Sequence, residues 1–308
     1  MRPLLTSEGS FPRQASDPAE AMVRAVEFQQ RHGLQLITDG EQRDDMLSLY
    51  GTLPGVQVTG GIPRIVDRIR PPEDPAQFPK IRDLDFLRAR FPDVRFRVNL
   101  TAPTTFAFAC ASTGAGPAYK SAVDPRLHDD LAEAIRTIAR EVGRRGVDLQ
   151  IDDPMLSQGM RDYGPSLGRI DAIAGELPRD RMTLHTCGGL ARAKVLDALL
   201  RIENVATLNL AFAGRLERDN VALLDRAAWV DRDILLGAGS IPVQVIRPEE
   251  VATPSQVTDV LRAIVERMGE DRIRYVLPDC GFRATAAEFV PSILDSLVKG
   301  FETAFPRA

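Results

Sequence analysis

The 308-residue chain predicts an α/β fold, a (β/α)8 barrel of the TIM type. Apolar, β-branched runs recur along it near 3–6, 35–39, 94–99, 147–151, 181–185, 206–210, 234–238 and 273–278. Segments of helical spacing lie between them, at Asp17 to His32, Asp129 to Arg145, Leu190 to Arg201 and Pro254 to Met268, with a last one from about Ala286 to Phe301. Strands alternating with helices argue for a parallel sheet covered on its outer face, and eight is the number that closes a barrel. An open doubly wound sheet is the alternative.

Polar residues collect just past these runs, at the carboxyl ends of the strands, where barrel chemistry sits. The first run leads to Ser10, the second to Asp39 and Glu41, and the third to Asn99 and Thr101. The fourth leads to Asp152 and Asp153, the fifth to His185 and Cys187, the seventh to Gly237–Ser240 and the eighth to Asp279 and Cys280. The sixth, ending in Ala211-Phe212-Ala213, is the exception.

Composition bounds the rest. Hydrophobic residues make up 44% and charged ones 27%, enough for one core, so residues 1–308 are read as a single catalytic unit. The formal charge of −4 arises from 39 basic and 43 acidic residues, and no basic block points to nucleic acid. No apolar stretch approaches the roughly 18 residues of a membrane span, and the start has no signal-peptide run. The expected compartment is the cytoplasm, where the three cysteines remain thiols. The stretch 51–93 breaks the alternation: it is rich in Pro and Gly, and VQVTGGIPRIVDRIR reads as a β-hairpin turning over Gly60-Gly61. It is read as an insertion after strand two that overhangs the barrel mouth.

His185 and Cys187 are an i, i+2 pair whose side chains point the same way from an extended strand end. Cys280 follows the last strand, which neighbours the first when a barrel closes. One His and two Cys form a reasonable zinc shell with a position left for water or substrate. The bland alternative is a satisfied strand-end histidine and two core cysteines, as Cys110 in FAFACAS is read.

Five motifs occur in one order: GSFPR (Gly9–Arg13), DGEQRDDM (Asp39–Met46), QIDDP (Gln150–Pro154), HTCGG (His185–Gly189) and PDCGF (Pro278–Phe282). Together they resemble the catalytic barrel of cobalamin-independent methionine synthase and its single-barrel relatives, from about Leu5 to Phe301. The resemblance implies a Zn2+ held by His185, Cys187 and Cys280, and transfer of a methyl group to a thiol such as homocysteine. It implies contacts of Ser10, Glu41 and Asp152 with that thiol substrate, with Asp153 beside them. Coordination to zinc deprotonates a thiol whose free pKa is about 8.5. Glu41 and Asp152 are suited to bind a substrate amino group, and their bland reading is solvated loop acids or helix caps.

The pattern is broken in three places. The family's zinc-ligating Glu at the end of strand six is replaced by Ala211, leaving Asp153, Glu217 or Glu41 as substitute carboxylates. Pro242 and Gln244 stand where an Asp and often a His follow the strand-seven glycines. The Trp that stacks the folate has no counterpart in NLTAPTTFAFA, where Phe106 and Phe108 are better read as core. The methyl donor therefore stays open between a methylated folate and a methyl-corrinoid protein. Two other readings remain: a zinc-dependent lyase or hydrolase acting on a C–S bond, and a non-catalytic barrel that binds a thiol or metal.

Overall fold

The computed structural model describes residues 2–307. Its nine strands are β1 (Leu4–Leu5), β2 (Val56–Thr59), β3 (Ile62–Ile65), β4 (Arg97–Thr101), β5 (Asp148–Asp152), β6 (Met182–Thr186), β7 (Thr207–Ala211), β8 (Leu235–Gly239) and β9 (Ile273–Leu277). Seven of them form one curled parallel sheet in the order β1-β9-β8-β7-β6-β5-β4. Every residue of β4, β5, β6 and β7 is buried, as a parallel sheet covered on both faces requires.

The expected second run, 35–39, does not make a regular strand. It reaches both edges of the sheet through isolated parallel bridges, Thr6 with Leu36 and Ile37 with Phe96. Gln35 donates its amide to Leu5 O, and Arg97 donates to Ile37 O, both at 2.8 Å. The run is a single short crossing of the seam, and its Thr38-Asp39-Gly40 continuation turns away at once.

Ten α-helices accompany the strands among the described residues: α1 (Pro18–Arg31), α2 (Pro79–Arg90), α3 (Pro103–Ala109), α4 (Pro125–Arg144), α5 (Gly164–Ala174), α6 (Leu190–Ala193), α7 (Leu196–Leu199), α8 (Arg226–Asp231), α9 (Pro254–Met268) and α10 (Val290–Ala304). Side chains mark the starts of α1, α4, α8 and α9. Asp17 caps α1 by accepting from Glu20 N, Asp124 caps α4 through Arg126 N, and Thr253 and Gln256 form a reciprocal capping box on α9. Proline at the first helical positions comes directly after each of these caps, where its missing N–H costs nothing. Along α4, Leu127, Leu131, Ala134, Ile135, Ile138 and Val142 recur at helical spacing and are fully buried.

A second expectation is corrected. The single helix over Leu190–Arg201 is two short ones, because Lys194 takes a left-handed conformation (φ 53°) that ends α6. Beyond the expected hairpin, the last third of the stretch 51–93 forms α2, which buries Ile81, Leu84 and Leu87 among charged neighbours. Before α2, β2 and β3 pair antiparallel, with Thr59 opposite Ile62 across Gly60 and Gly61. Both glycines have positive φ (59° and 75°), as a two-residue type I′ turn needs.

Candidate active site

The carboxyl ends of the parallel strands bring distant residues together. His185 is the penultimate residue of β6 and Cys187 lies just past its end, while Cys280 comes after β9. One donor atom from each of His185, Cys187 and Cys280 lies within 4.8 Å of the others, a spacing two sulfurs and a nitrogen can share around one ion. The Cys280 thiol hydrogen-bonds Cys187, which lowers Cys187 below the usual thiol range and pushes Cys280 up. Burial opposes protonation of His185, but the charge of Glu8 and contact with Cys280 outweigh it and raise its proton affinity well above the ordinary value. Surroundings that favour a proton there also favour a cation. The donor set therefore fits zinc, with three protein ligands and room for a fourth.

None of the three substitute carboxylates joins this cluster among the described residues. Ala211 ends β7 and contributes no donor atom, its carbonyl accepting from Asn220 Nδ2 at 2.8 Å.

Two cavities open onto the sulfurs. One of about 260 Å3 is lined by Glu8, Ser10, Glu41, Asp152, His185, Arg283 and both cysteines. The other, of about 310 Å3, reaches Cys187 and Cys280 from the side of Ala211, Arg215, Glu217 and Gln244. Pro242 and Gln244, which depart from the family pattern, thus line the second cavity.

The first cavity gathers the carboxylates. Asp152 is the last residue of β5 and lies opposite His185 in the register. Its oxygens accept from Gln150 Nε2 (2.7 Å) and Asn99 Nδ2 (3.1 Å), and burial raises its carboxyl above the ordinary range. Glu41 takes a positive φ of 53°, unusual for a side chain with a Cβ. Burial raises its carboxyl to about 7, with Lys80 pulling down and Asp152 and Asp39 pushing up. Lys80 itself is held by Asp39, with Nζ at 2.9 and 3.0 Å from the two oxygens. Arg283 donates from one terminal nitrogen to Glu41 O (2.7 Å) and Asp44 O (2.9 Å), tying down the loop that carries Glu41.

Asp153 is elsewhere. Fully buried, it accepts from Thr105 Oγ1 (2.7 Å) and Met155 N (3.2 Å), capping the short turn after β5, and it lines neither cavity. Phe106 packs on Tyr50 (5.2 Å between centroids) and Phe108 on His128 (6.2 Å), so both belong to packing. Cys110 is likewise buried, its thiol pushed up to about 11 by burial.

The PDCGF segment shows why a motif spans several residues. Asp279 accepts from the amides of Phe212, Ala213 and Gly214, pinning the loop after β7. Cys280 is a donor to the cluster, Gly281 makes room for Ser10, and Phe282 packs 5.3 Å from Phe11. Ser10 O accepts from Phe282 N at 2.8 Å, which joins the first and last motifs.

Two participants escaped the sequence reading. Glu8, one residue before GSFPR, sits 3.2 Å from His185 Nδ1. Gln150 donates to Glu8 and Asp152 from inside β5. The signal for both was available: a carboxylate just after the first apolar run, and an amide within a buried strand.

No protein-family model matches the chain. Among curated proteins, it is 31% identical over 288 residues to methionine synthase from Methanothermobacter marburgensis, covering 91% of this chain and 87% of that protein. The corresponding enzyme of Methanothermobacter thermautotrophicus is 29% identical over 304 residues, covering 96% and 91%. Among solved structures, a B12-independent methionine synthase from Shewanella in complex with selenomethionine superposes with a TM-score of 0.80 at 18% identity, over 98% of both chains. A putative B12-independent methionine synthase from Listeria monocytogenes gives 0.75 at 20%, over 100% of this chain and 99% of the other. The likeness to these structures concerns the fold, and the identity to the archaeal enzymes decides kinship: the chain belongs to the methionine synthase family.

Proposed function

We propose that the protein is a zinc-dependent methyltransferase that methylates a small thiol, homocysteine being the acceptor its relatives' name indicates. The observation that carries this reading is the His185, Cys187 and Cys280 cluster at the meeting of two cavities, one of them lined with Glu41 and Asp152. Zinc bound there supplies deprotonation of the acceptor thiol, of which only a few per cent is thiolate at neutral pH in water.

The chain's own residues supply recognition and order. Glu41 and Asp152 face the same cavity and are suited to hold a substrate ammonium group. Ser10, at its edge, offers a hydroxyl. Burial keeps both carboxyls short of bulk water, so an ammonium group entering between them gains ion pairs in a low-dielectric surround. Asp153 stays a structural cap. The second cavity, on the Ala211 side, gives a methyl donor its own approach to the sulfur, whether a methylated folate or a methyl-corrinoid protein. The fold reading extends likewise: residues 35–39 serve as the eighth strand of a (β/α)8 barrel in one unit, 1–308, and the β2–β3 hairpin is an insertion beside the mouth. Among the described residues no helix is long and apolar enough to cross a membrane, and a reduced thiol site suits the cytoplasm.

The test supplies zinc-loaded protein with homocysteine and, in turn, methyltetrahydrofolate or methylcobalamin. Methionine is the expected product with at least one donor. Its absence with both, or a product formed from the sulfur compound alone, would contradict methyl transfer and favour C–S bond cleavage.

A further inference from the structure

We infer that Glu8 is the positioning residue of the metal centre, holding the His185 ring through Nδ1 and supplying the negative charge that Ala211 does not. The inference rests on the zinc reading above. Glu8 is 5% exposed, and its Oε1 lies 3.2 Å from Nδ1. Its Oε2 accepts from Gln150 Nε2 at 2.8 Å, and Gln150 is fixed in turn by Asn209 Nδ2, which donates to Oε1 of Gln150 at 2.9 Å. The Glu8 carbonyl accepts from Asn99 Nδ2 at 2.6 Å, so backbone and side chain are both clamped. Nδ1 also lies 3.2 Å from the carbonyl of Asn209. A nitrogen placed between a carboxylate and a carbonyl carries the proton, which leaves Nε2 as the lone-pair nitrogen.

Charge points the same way. Among the described residues no Lys or Arg pairs with Glu8, so the positive partner of this buried carboxylate has to come through the His185 ring, at the cost of desolvating both groups. A divalent ion beyond the imidazole relieves that cost. Two thiolates and one imidazole leave a Zn2+ site neutral, and Glu8 behind the ring returns the assembly to −1, the charge a directly ligating carboxylate would give. Ala211 leaves the position at the end of β7 without a donor, and Glu8 restores its charge one residue further from the ion.

The experiment measures zinc affinity by competition with a chromophoric chelator in wild type, Glu8→Gln and Glu8→Gln/Ala211→Glu. Glu8→Gln is expected to lose roughly 10- to 100-fold in affinity. Ala211→Glu, whose side chain has the second cavity to enter, is expected to recover part of that loss in the Glu8→Gln background, which lost packing alone would not allow. Unchanged affinity in Glu8→Gln overturns the inference while leaving the zinc reading intact; a wild type that binds no zinc overturns the zinc reading itself. Long-range 1H–15N correlation on zinc-loaded wild type, which depends on no variant folding, is expected to find the His185 proton on Nδ1. Metal on Nδ1 overturns the inference.

Discussion

The hydroxyl of Ser10 fills the space that a β-carbon on Gly281 would need, so the segments that follow the first and last strands approach more closely there than any other residue type would permit. Because Gly281 is next to Cys280, the same contact sets the path of the chain beyond that cysteine. Gly281→Ala must displace Ser10 or the backbone. Overpacking of this kind costs about 1–3 kcal/mol. Urea unfolding is expected to show that loss, accompanied by weaker thiol binding; a variant of wild-type stability would mean the contact has room to spare.

Glu41 gives a pH dependence with a definite sign. Its carboxyl titrates near 7 in the fold, against an ordinary 4.5 in the unfolded chain, with burial the leading cause. Between those values the native state holds a proton that the unfolded chain has released, so stability falls as pH rises through that window. The full difference is roughly 3 kcal/mol. Thermal melts from pH 4 to 8 are expected to show wild type losing stability relative to Glu41→Gln over that range and to run parallel above it. Thiol substrate affinity is expected to rise over the same range, because the ionised form binds an ammonium group; affinity independent of pH would remove Glu41 from that role.

Asp152 and Asp153 are neighbours with different duties. Asp152→Asn is expected to raise KM for the amino-acid thiol at least tenfold, a loss of about 1.4 kcal/mol or more in binding. Asp153→Ala removes the bonds to Thr105 and Met155 and is expected to cost about 1–2 kcal/mol of stability with KM unchanged. Parallel kinetics and melts on both variants check the assignment. A rise in KM for Asp153→Ala equal to that of Asp152→Asn would restore Asp153 to the site.

Arg283 acts on the loop rather than through bulk charge. Arg283→Met loses its bonds to the carbonyls of Glu41 and Asp44 and is expected to weaken thiol binding while sparing zinc content. Loss of zinc in this variant would show that its effect reaches the metal cluster.

The sheet was legible wherever a strand is an unbroken apolar run. The expected 147–151, 206–210 and 234–238 fall within one residue of β5, β7 and β8. The run 35–39, expected as a strand, meets its neighbours through isolated bridges instead of a regular ladder. Lys194 gives no warning in LARAKVL of its left-handed turn. In α2 the apolar stripe of Ile81, Leu84 and Leu87 is masked by charged neighbours, including the buried Lys80 and Asp83 that pair with Asp39 and Arg43. Cys187 and Cys280 stood out because a cysteine in a polar, glycine-flanked segment is unusual. Glu8 did not, because its meaning lies in a contact with a residue 177 positions away.

Metal content of freshly purified, unchelated wild type and Cys280→Ser, measured by inductively coupled plasma mass spectrometry, tests the central claim most directly. The account predicts about one zinc per chain in wild type, strongly depleted in the variant. A wild type without zinc, or a Cys280→Ser variant that retains it in full, would contradict the metal centre on which the proposed chemistry rests.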